Sequence, residues 1–232
     1  MSHHRPLPPC LHDLDVSAWD AGLYLARCRF RPEQLLDDAF PLARVPEPDT
    51  LRGAIAKRRC EYLAGRVCAA TAGEALTGEG LIPALGEDRA PLWPAPLVGA
   101  ITHSHGRAAA LVGHRDHWRG VGLDYEAWLA PRRALRLAEE ILTEEERQAL
   151  QGLDEAEQAR RITLTFSVKE SLFKALYPLT GRRFYFQDAA LDGEDRIRLL
   201  TTLSADWRQG EILPYQRRDE EAGVLSWIRV PA

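Results

Sequence analysis

The chain has 232 residues, 45% of them hydrophobic, and a formal net charge of -4 at pH 7. That length suits one large domain or two of about a hundred residues each, with apolar content for a sizeable core. The acidic balance excludes a general binder of nucleic acid or of membrane surfaces, so any polyanion site must be a local cluster of arginines and lysines.

The start, MSHHRPLPPC, lacks an apolar run and a cleavage pattern, and is read as no signal peptide. No apolar run reaches the roughly eighteen residues of a membrane-spanning helix. Cys10, Cys28, Cys60 and Cys68 show no C-x-x-C spacing and no export signal accompanies them. They read as free thiols in a reducing compartment, which places the chain in the cytoplasm. Residues 1–16, rich in proline and histidine, read as irregular. The run WDAGLYLARCRF from Trp19 predicts a strand, and Leu35 to Phe40 a short helix that Pro41, Pro46 and Pro48 interrupt. From Thr50 to Leu76 the chain reads as one alanine-rich helix, with Leu51, Ile55, Tyr62 and Ala69 along one face. Arg59 and Arg66 lie near each other in projection, beside Lys57 and Arg58. Such arginines form either a solvated basic stripe or a fork for phosphate oxygens.

Leu97 to Thr102 and Arg107 to Gly113 predict a hairpin, with His103 and His105 at its tip. The segment VGLDYE at 121–126 alternates. Val121, Leu123 and Tyr125 face one way, Gly122, Asp124 and Glu126 the other, so two carboxylates share a strand face with a glycine that leaves room for an approach. Pro131 suits a first helical turn carrying Arg132, Arg133 and Arg136. Thr143 with Glu146 makes a capping box, and the charged stretch that follows is expected to break near Gly152. Ser167 with Glu170 reads as a second capping box opening a helix over 168–177, with Val168, Leu172, Ala175 and Leu176 apolar and Pro178 as its stop. Beyond Gly181 the period changes to four short strands. The reading is α+β in two halves, 1–115 and 116–232, with no visible repeat.

The histidines His103, His105, His114 and His117 lack cysteine or carboxylate partners at zinc spacing. G-x-S-x-G, G-x-x-x-x-G-K-[ST] and G-x-G-x-x-G are all absent, which removes the elbow serine, the P-loop and the dinucleotide fingerprint. What remains is Asp124, Glu126 and Glu170 with scattered cations. Three carboxylates repel one another, and Mg²⁺ resolves that with oxygen ligands and substrate phosphates. The combination suits transfer or cleavage at a phosphate ester or pyrophosphate.

Three blocks carry a family resemblance: WPAPLVGAITHSHG at 93–106, VGLDYE at 121–126 and FSVKESLFKALYP at 166–178, supported by KRRCEYLAGRVCAA at 57–70. In this order they resemble the 4'-phosphopantetheinyl transferases, of the larger single-chain kind found with siderophore, polyketide and peptide synthetases and similar to the enterobactin-associated branch. The resemblance implies two similar α+β halves in a pseudo-dimeric fold, a monomer, and coenzyme A in the cleft between halves. It implies that Asp124, Glu126 and Glu170 hold Mg²⁺, with Glu170 as general base and Lys174 steadying charge as the pyrophosphate bond breaks. Lys169 would lie near the pyrophosphate. His103, Arg66 and Arg59 would lie around the 3'-phosphate of coenzyme A. Arg132, Arg133 and Arg136 would dock an acidic acyl or peptidyl carrier protein, whose serine accepts the arm while 3',5'-ADP leaves. Pro96 and Ala100 depart from the family pattern, Ala100 by the loss of a serine hydroxyl. The alternatives are another metal-dependent phosphoryl or pyrophosphate-cleaving enzyme and a non-catalytic carrier-binding protein.

Overall fold

The structure, a computed structural model, describes residues 6–232, which fold as two compact units, 6–119 and 120–231. Each is α+β, a sheet backed by one long helix.

In the first unit β1 (Leu11–Ala18) and β2 (Tyr24–Phe30) precede two single-turn helices, α1 (Ala39–Leu42) and α2 (Asp49–Arg52). The long helix α3 (Ala56–Thr77) follows, then a short pair β3 (Ala84–Leu85) and β4 (Pro91–Leu92), and the hairpin β5 (Leu97–Ser104) and β6 (Arg107–His114). The main sheet is antiparallel with order β1-β2-β6-β5. Helix α3 lies across β2, β5 and β6. Its Leu63, Ala64, Val67 and Cys68 pack with Ala26, Cys28, Ala108 and Val112, all nearly inaccessible. The small strand residues let the helix approach closely, so the core is dense although few of its side chains are large.

The hairpin at 97–114 forms as expected. Three expectations are corrected. A strand, β1, occupies 11–18, where irregular chain was expected; residues 1–5 of that stretch lie outside the described residues. The strand expected from Trp19 begins at Tyr24, because Asp20–Gly22 form a tight turn with Ala21 and Gly22 at positive φ. The helix expected over 50–76 is interrupted between Arg52 and Ala56, at Gly53, a poor helix former, and Ile55, which is extended and 72% exposed instead of lying on the apolar face.

The second unit contains β7 (Trp118–Ala127), which begins just before the boundary, then α4 (Pro131–Ile141), α5 (Glu144–Gln148) and α6 (Glu155–Thr180). Strands β8 (Ala189–Leu191), β9 (Arg196–Leu199), β10 (Ile212–Glu220) and β11 (Gly223–Pro231) complete a sheet of order β7-β11-β10-β9-β8. The Thr143–Glu146 capping box is present at the start of α5. Helix α6 is buried on two faces. Val168, Leu172 and Leu176 pack with Val224 and Ile228, while Ala159 and Ile162 pack with Ala134 and Ile141.

The limits expected for this helix are corrected at both ends. It starts at Glu155, capped by Asp154, whose Oδ1 accepts from the Glu157 amide at 2.8 Å. Ser167 lies mid-helix and caps nothing. Pro178 sits inside the last turn, where losing one amide donor does not end a helix, and the stop is Gly181 in the left-handed conformation, φ 62°. Cys10, Cys28, Cys60 and Cys68 are buried free thiols. Among the described residues, no helix is long and apolar enough to cross a membrane.

Candidate functional site

In the second unit the even-numbered face of β7 lies against α6. A Cβ on Gly122 would stand 1.8 Å from the Ser171 carbonyl oxygen. The room this glycine leaves is therefore filled by the backbone of α6. That contact brings Asp124 to Lys174. The Lys174 ammonium donates to Asp124 Oδ1 at 2.7 Å and to the Leu123 carbonyl at 3.1 Å. Asp124 is 3% exposed. Burial works against the Lys174 charge, but Asp124, Glu170 and Glu126 together hold its pKa above the ordinary lysine value. Burial raises the Glu170 pKa, Lys174 opposes that, and Asp124 adds to it.

A hydroxyl cluster fixes the register of this turn. Ser167 and Ser171 each lie 2.8 Å from the Ser226 hydroxyl, and all three are fully buried. Ser171 also donates to the Ser226 carbonyl, and Ser167 reaches the Asp124 carbonyl at 3.4 Å. The helix turn bearing Glu170 is thus tied to β11 and β7 by bonds that satisfy every buried hydroxyl.

The acidic groups suit a hard divalent cation in donor type. Asp124, Glu126 and Glu170 offer oxygens only, and all three stand within electrostatic reach of the Lys174 ammonium. The expectation of three carboxylates gathered as one shell is not met in assembled form. Among the described residues no three potential ligands stand together as a metal cluster, and Lys174 is the immediate partner of Asp124.

Beside Glu170 opens a cavity of about 220 Å³ lined by Lys169, Phe173, Arg183, Phe184, Tyr185 and Phe186. These aromatic residues escaped the sequence reading, although Phe173 and the FYF run at 184–186 were visible. Nothing local distinguishes a cavity wall from a core. Lys169, expected at the pyrophosphate, lines this cavity and is 3% exposed, and its ammonium donates to Glu146 Oε2 at 2.6 Å and the Ile141 carbonyl at 2.8 Å. It lies on the face of α6 turned toward the end of α4 and the start of α5.

In the first unit, His103 at the end of β5 meets the first turns of α3. Arg58 lies 3.4 Å from His103 Nε2, and Glu61 lies 3.8 Å from His103 Nδ1 and 3.6 Å from Arg58. Arg66 is 5% exposed, stacks 4.4 Å over the Tyr62 ring and donates to the Ala84 carbonyl. Its Nε is buried with no hydrogen-bond partner among the described residues. Burial lowers its pKa, Tyr62 opposes the shift, and the neighbouring charge of Arg58 adds to it. The structure therefore brings Arg58 to His103 and sets Arg66 within electrostatic reach of Arg58. It does not bring Arg59 to them, because Arg59 Nε is held by Glu47 at 2.7 Å. One helical step of about 100° separates the two neighbours and sends them to different partners. Ala100, the position of the missing hydroxyl, is 2% exposed within β5.

Arg132, Arg133 and Arg136 are exposed on α4, next to Leu135 at 42% exposure.

Residues 47–113 match the family described as 4'-phosphopantetheinyl transferase N-terminal domain, and residues 120–221 the 4'-phosphopantetheinyl transferase superfamily. The chain is 35% identical to enterobactin synthase component D of Salmonella typhimurium over 175 residues, 75% of this chain and 67% of that protein. It is 29% identical to 4'-phosphopantetheinyl transferase Npt of Nocardia iowensis over 209 residues, 89% of each. It is 35% identical to 4'-phosphopantetheinyl transferase PptT of Mycobacterium tuberculosis over 166 residues, 69% of this chain and 70% of that protein.

Proposed function

We propose a reaction from kinship: this chain belongs to the 4'-phosphopantetheinyl transferase superfamily, and moves the phosphopantetheine arm of coenzyme A to a carrier-protein serine. The observation that carries the reading is the Lys174–Asp124 pair, 2.7 Å apart, with Glu170 and Glu126 in electrostatic reach beside an aromatic cavity.

The serine oxygen of the carrier attacks the phosphorus on the pantetheine side. The bond from that phosphorus to the bridging oxygen breaks, and 3',5'-ADP leaves with the electron pair. Glu170, whose pKa is raised by burial, takes the serine proton. Lys174 places positive charge where the leaving oxygen gains negative charge. Bound at Asp124, Glu126 and Glu170, Mg²⁺ would neutralise pyrophosphate charge in addition. The aromatic cavity suits the pantetheine arm, which has a slender apolar body with few polar groups. In the first unit Arg58, Arg66 and His103 are assigned to the 3'-phosphate, where an anion would satisfy the buried Arg66 Nε. The carrier, acidic around its serine, docks on Arg132, Arg133 and Arg136.

Mass spectrometry of purified acyl and peptidyl carriers after incubation with coenzyme A and Mg²⁺ tests the reading. A gain of one phosphopantetheine group is expected. An unchanged carrier mass with intact coenzyme A would reduce the chain to a binding protein. Cleaved coenzyme A with an unmodified carrier would make it a hydrolase.

A further inference from the structure

Lys169 and Glu146 form a buried ion pair where four segments of the second unit meet. Lys169 belongs to α6, directly before Glu170. Its side chain is 2% exposed and that of Glu146 11%. Lys169 also donates to the Ile141 carbonyl at the end of α4, at 2.8 Å. Glu146 Oε2 accepts from the Thr143 amide at the start of α5, at 2.8 Å, and Oε1 accepts from the Leu191 amide of β8, at 2.9 Å. The chain running into β8 forms the wall of the aromatic cavity, from Phe184 to Ala189. Nearby, Gln187 Nε2 donates to the Leu142 carbonyl at 2.8 Å, which ties the same wall to the same α4–α5 corner.

A buried ion pair is a weak source of stability. Replaced on both sides by uncharged groups of like volume it is often neutral, whereas removing one partner leaves an uncompensated charge. What this pair contributes is geometry. It holds the wall of the cavity and the α4–α5 corner against the helix turn that carries the proposed base.

We propose that Lys169 and Glu146 are positioning residues, which set Glu170 against the aromatic cavity while the Lys169 ammonium is engaged by Glu146 and the Ile141 carbonyl. The assignment rests on the transferase reading given above. It differs from an anion-binding role for Lys169 in which step of the reaction it affects.

The test is the double variant Lys169→Met with Glu146→Gln, neutral on both sides and close in volume, compared with the parent and with Lys169→Met alone. Transfer to a carrier is followed at varied coenzyme A, with melting temperature and amide hydrogen exchange over residues 184–191. A misplaced reacting group predicts a loss in kcat of about a hundredfold in the double variant. KM for coenzyme A should stay within about threefold of the parent, because the Lys169 ammonium is engaged by Glu146 and the Ile141 carbonyl and the methionine stem keeps the side chain's bulk at the cavity wall. The melting temperature should hold, and exchange over 184–191 should accelerate. Lys169→Met alone should lose stability as well as rate. A double variant with unchanged kcat at unchanged melting temperature overturns the proposal. So does a large rise in KM with kcat intact, which would make Lys169 a direct anion contact. A parent that leaves the carrier mass unchanged overturns the transferase reading itself, and with it the rate assignment. Measuring the parent first separates that outcome from a failed variant.

Discussion

Asp124 is the residue on which most of the local electrostatics turns. It is buried and accepts from Lys174 at 2.7 Å. Asp124→Asn keeps its shape and removes its charge, and the transfer rate should fall by about a hundredfold or more, as when a preorganised electrostatic partner is lost. Circular dichroism should stay unchanged, and full activity in the folded variant would refute the assignment. A second prediction separates two neighbouring arginines. Arg58 meets His103, whereas Arg59 is bound to Glu47. Loss of a charge-assisted hydrogen bond is worth about 1.5–3 kcal/mol, so Arg58→Ala should raise KM for coenzyme A at least about tenfold. The penalty should vanish with 3'-dephospho-coenzyme A, and Arg59→Ala should show no such dependence on the 3'-phosphate. The sequence displays both arginines with equal prominence. It is the helix phase, read against Glu47 and His103, that tells them apart.

At the scale of elements, the contact of β7 with α6 decides whether the acidic strand and the KES turn share one site. Gly122 permits it, since a Cβ there would run into the Ser171 carbonyl. Gly122→Ala should therefore destabilise the second unit by about 1–3 kcal/mol, the usual range for overpacking a tight core. Denaturant titration measures this, and transfer should fall as Asp124 moves away from Lys174. The helix start offers a contrasting case. Asp154→Ala should cost about 1 kcal/mol as a lost cap with no direct effect on kcat. Ser167→Ala at the start expected from the sequence would instead remove a buried hydroxyl bond to Ser226. Ser-x-x-Glu is an honest cap signature locally. It marks no start here because the apolar pattern continues upstream of it, with Ala159 and Ile162 on the opposite face of α6 and Leu164 on the face of Val168 and Leu172.

At the scale of the whole molecule, a net charge of -4 is set against an exposed arginine face on α4. An acidic carrier is attracted by that face and repelled by the average charge, so docking should be strongly salt-dependent, with screening over about 10 Å at 0.1 M salt. Reversing Arg133 and Arg136 to glutamate should raise KM for the carrier at low salt and leave KM for coenzyme A unchanged. The gap between variant and parent should narrow as salt rises, and an unchanged KM for the carrier at low salt would end the docking role. The sequence by itself determined the α+β class, the 97–114 hairpin, the α5 cap, the acidic strand and the helix that bears Glu170 and Lys174. These rest on side-chain periods and cap residues a few positions apart, which a chain displays before it folds. Only the tertiary structure decided which cations remain for a substrate. Lys169 is held by Glu146 and Arg59 by Glu47, while Arg58 is brought to His103, 45 positions away. Pairing of charge depends on distance in space, and burial sets how strongly each pair is felt, so neither can be read along the chain.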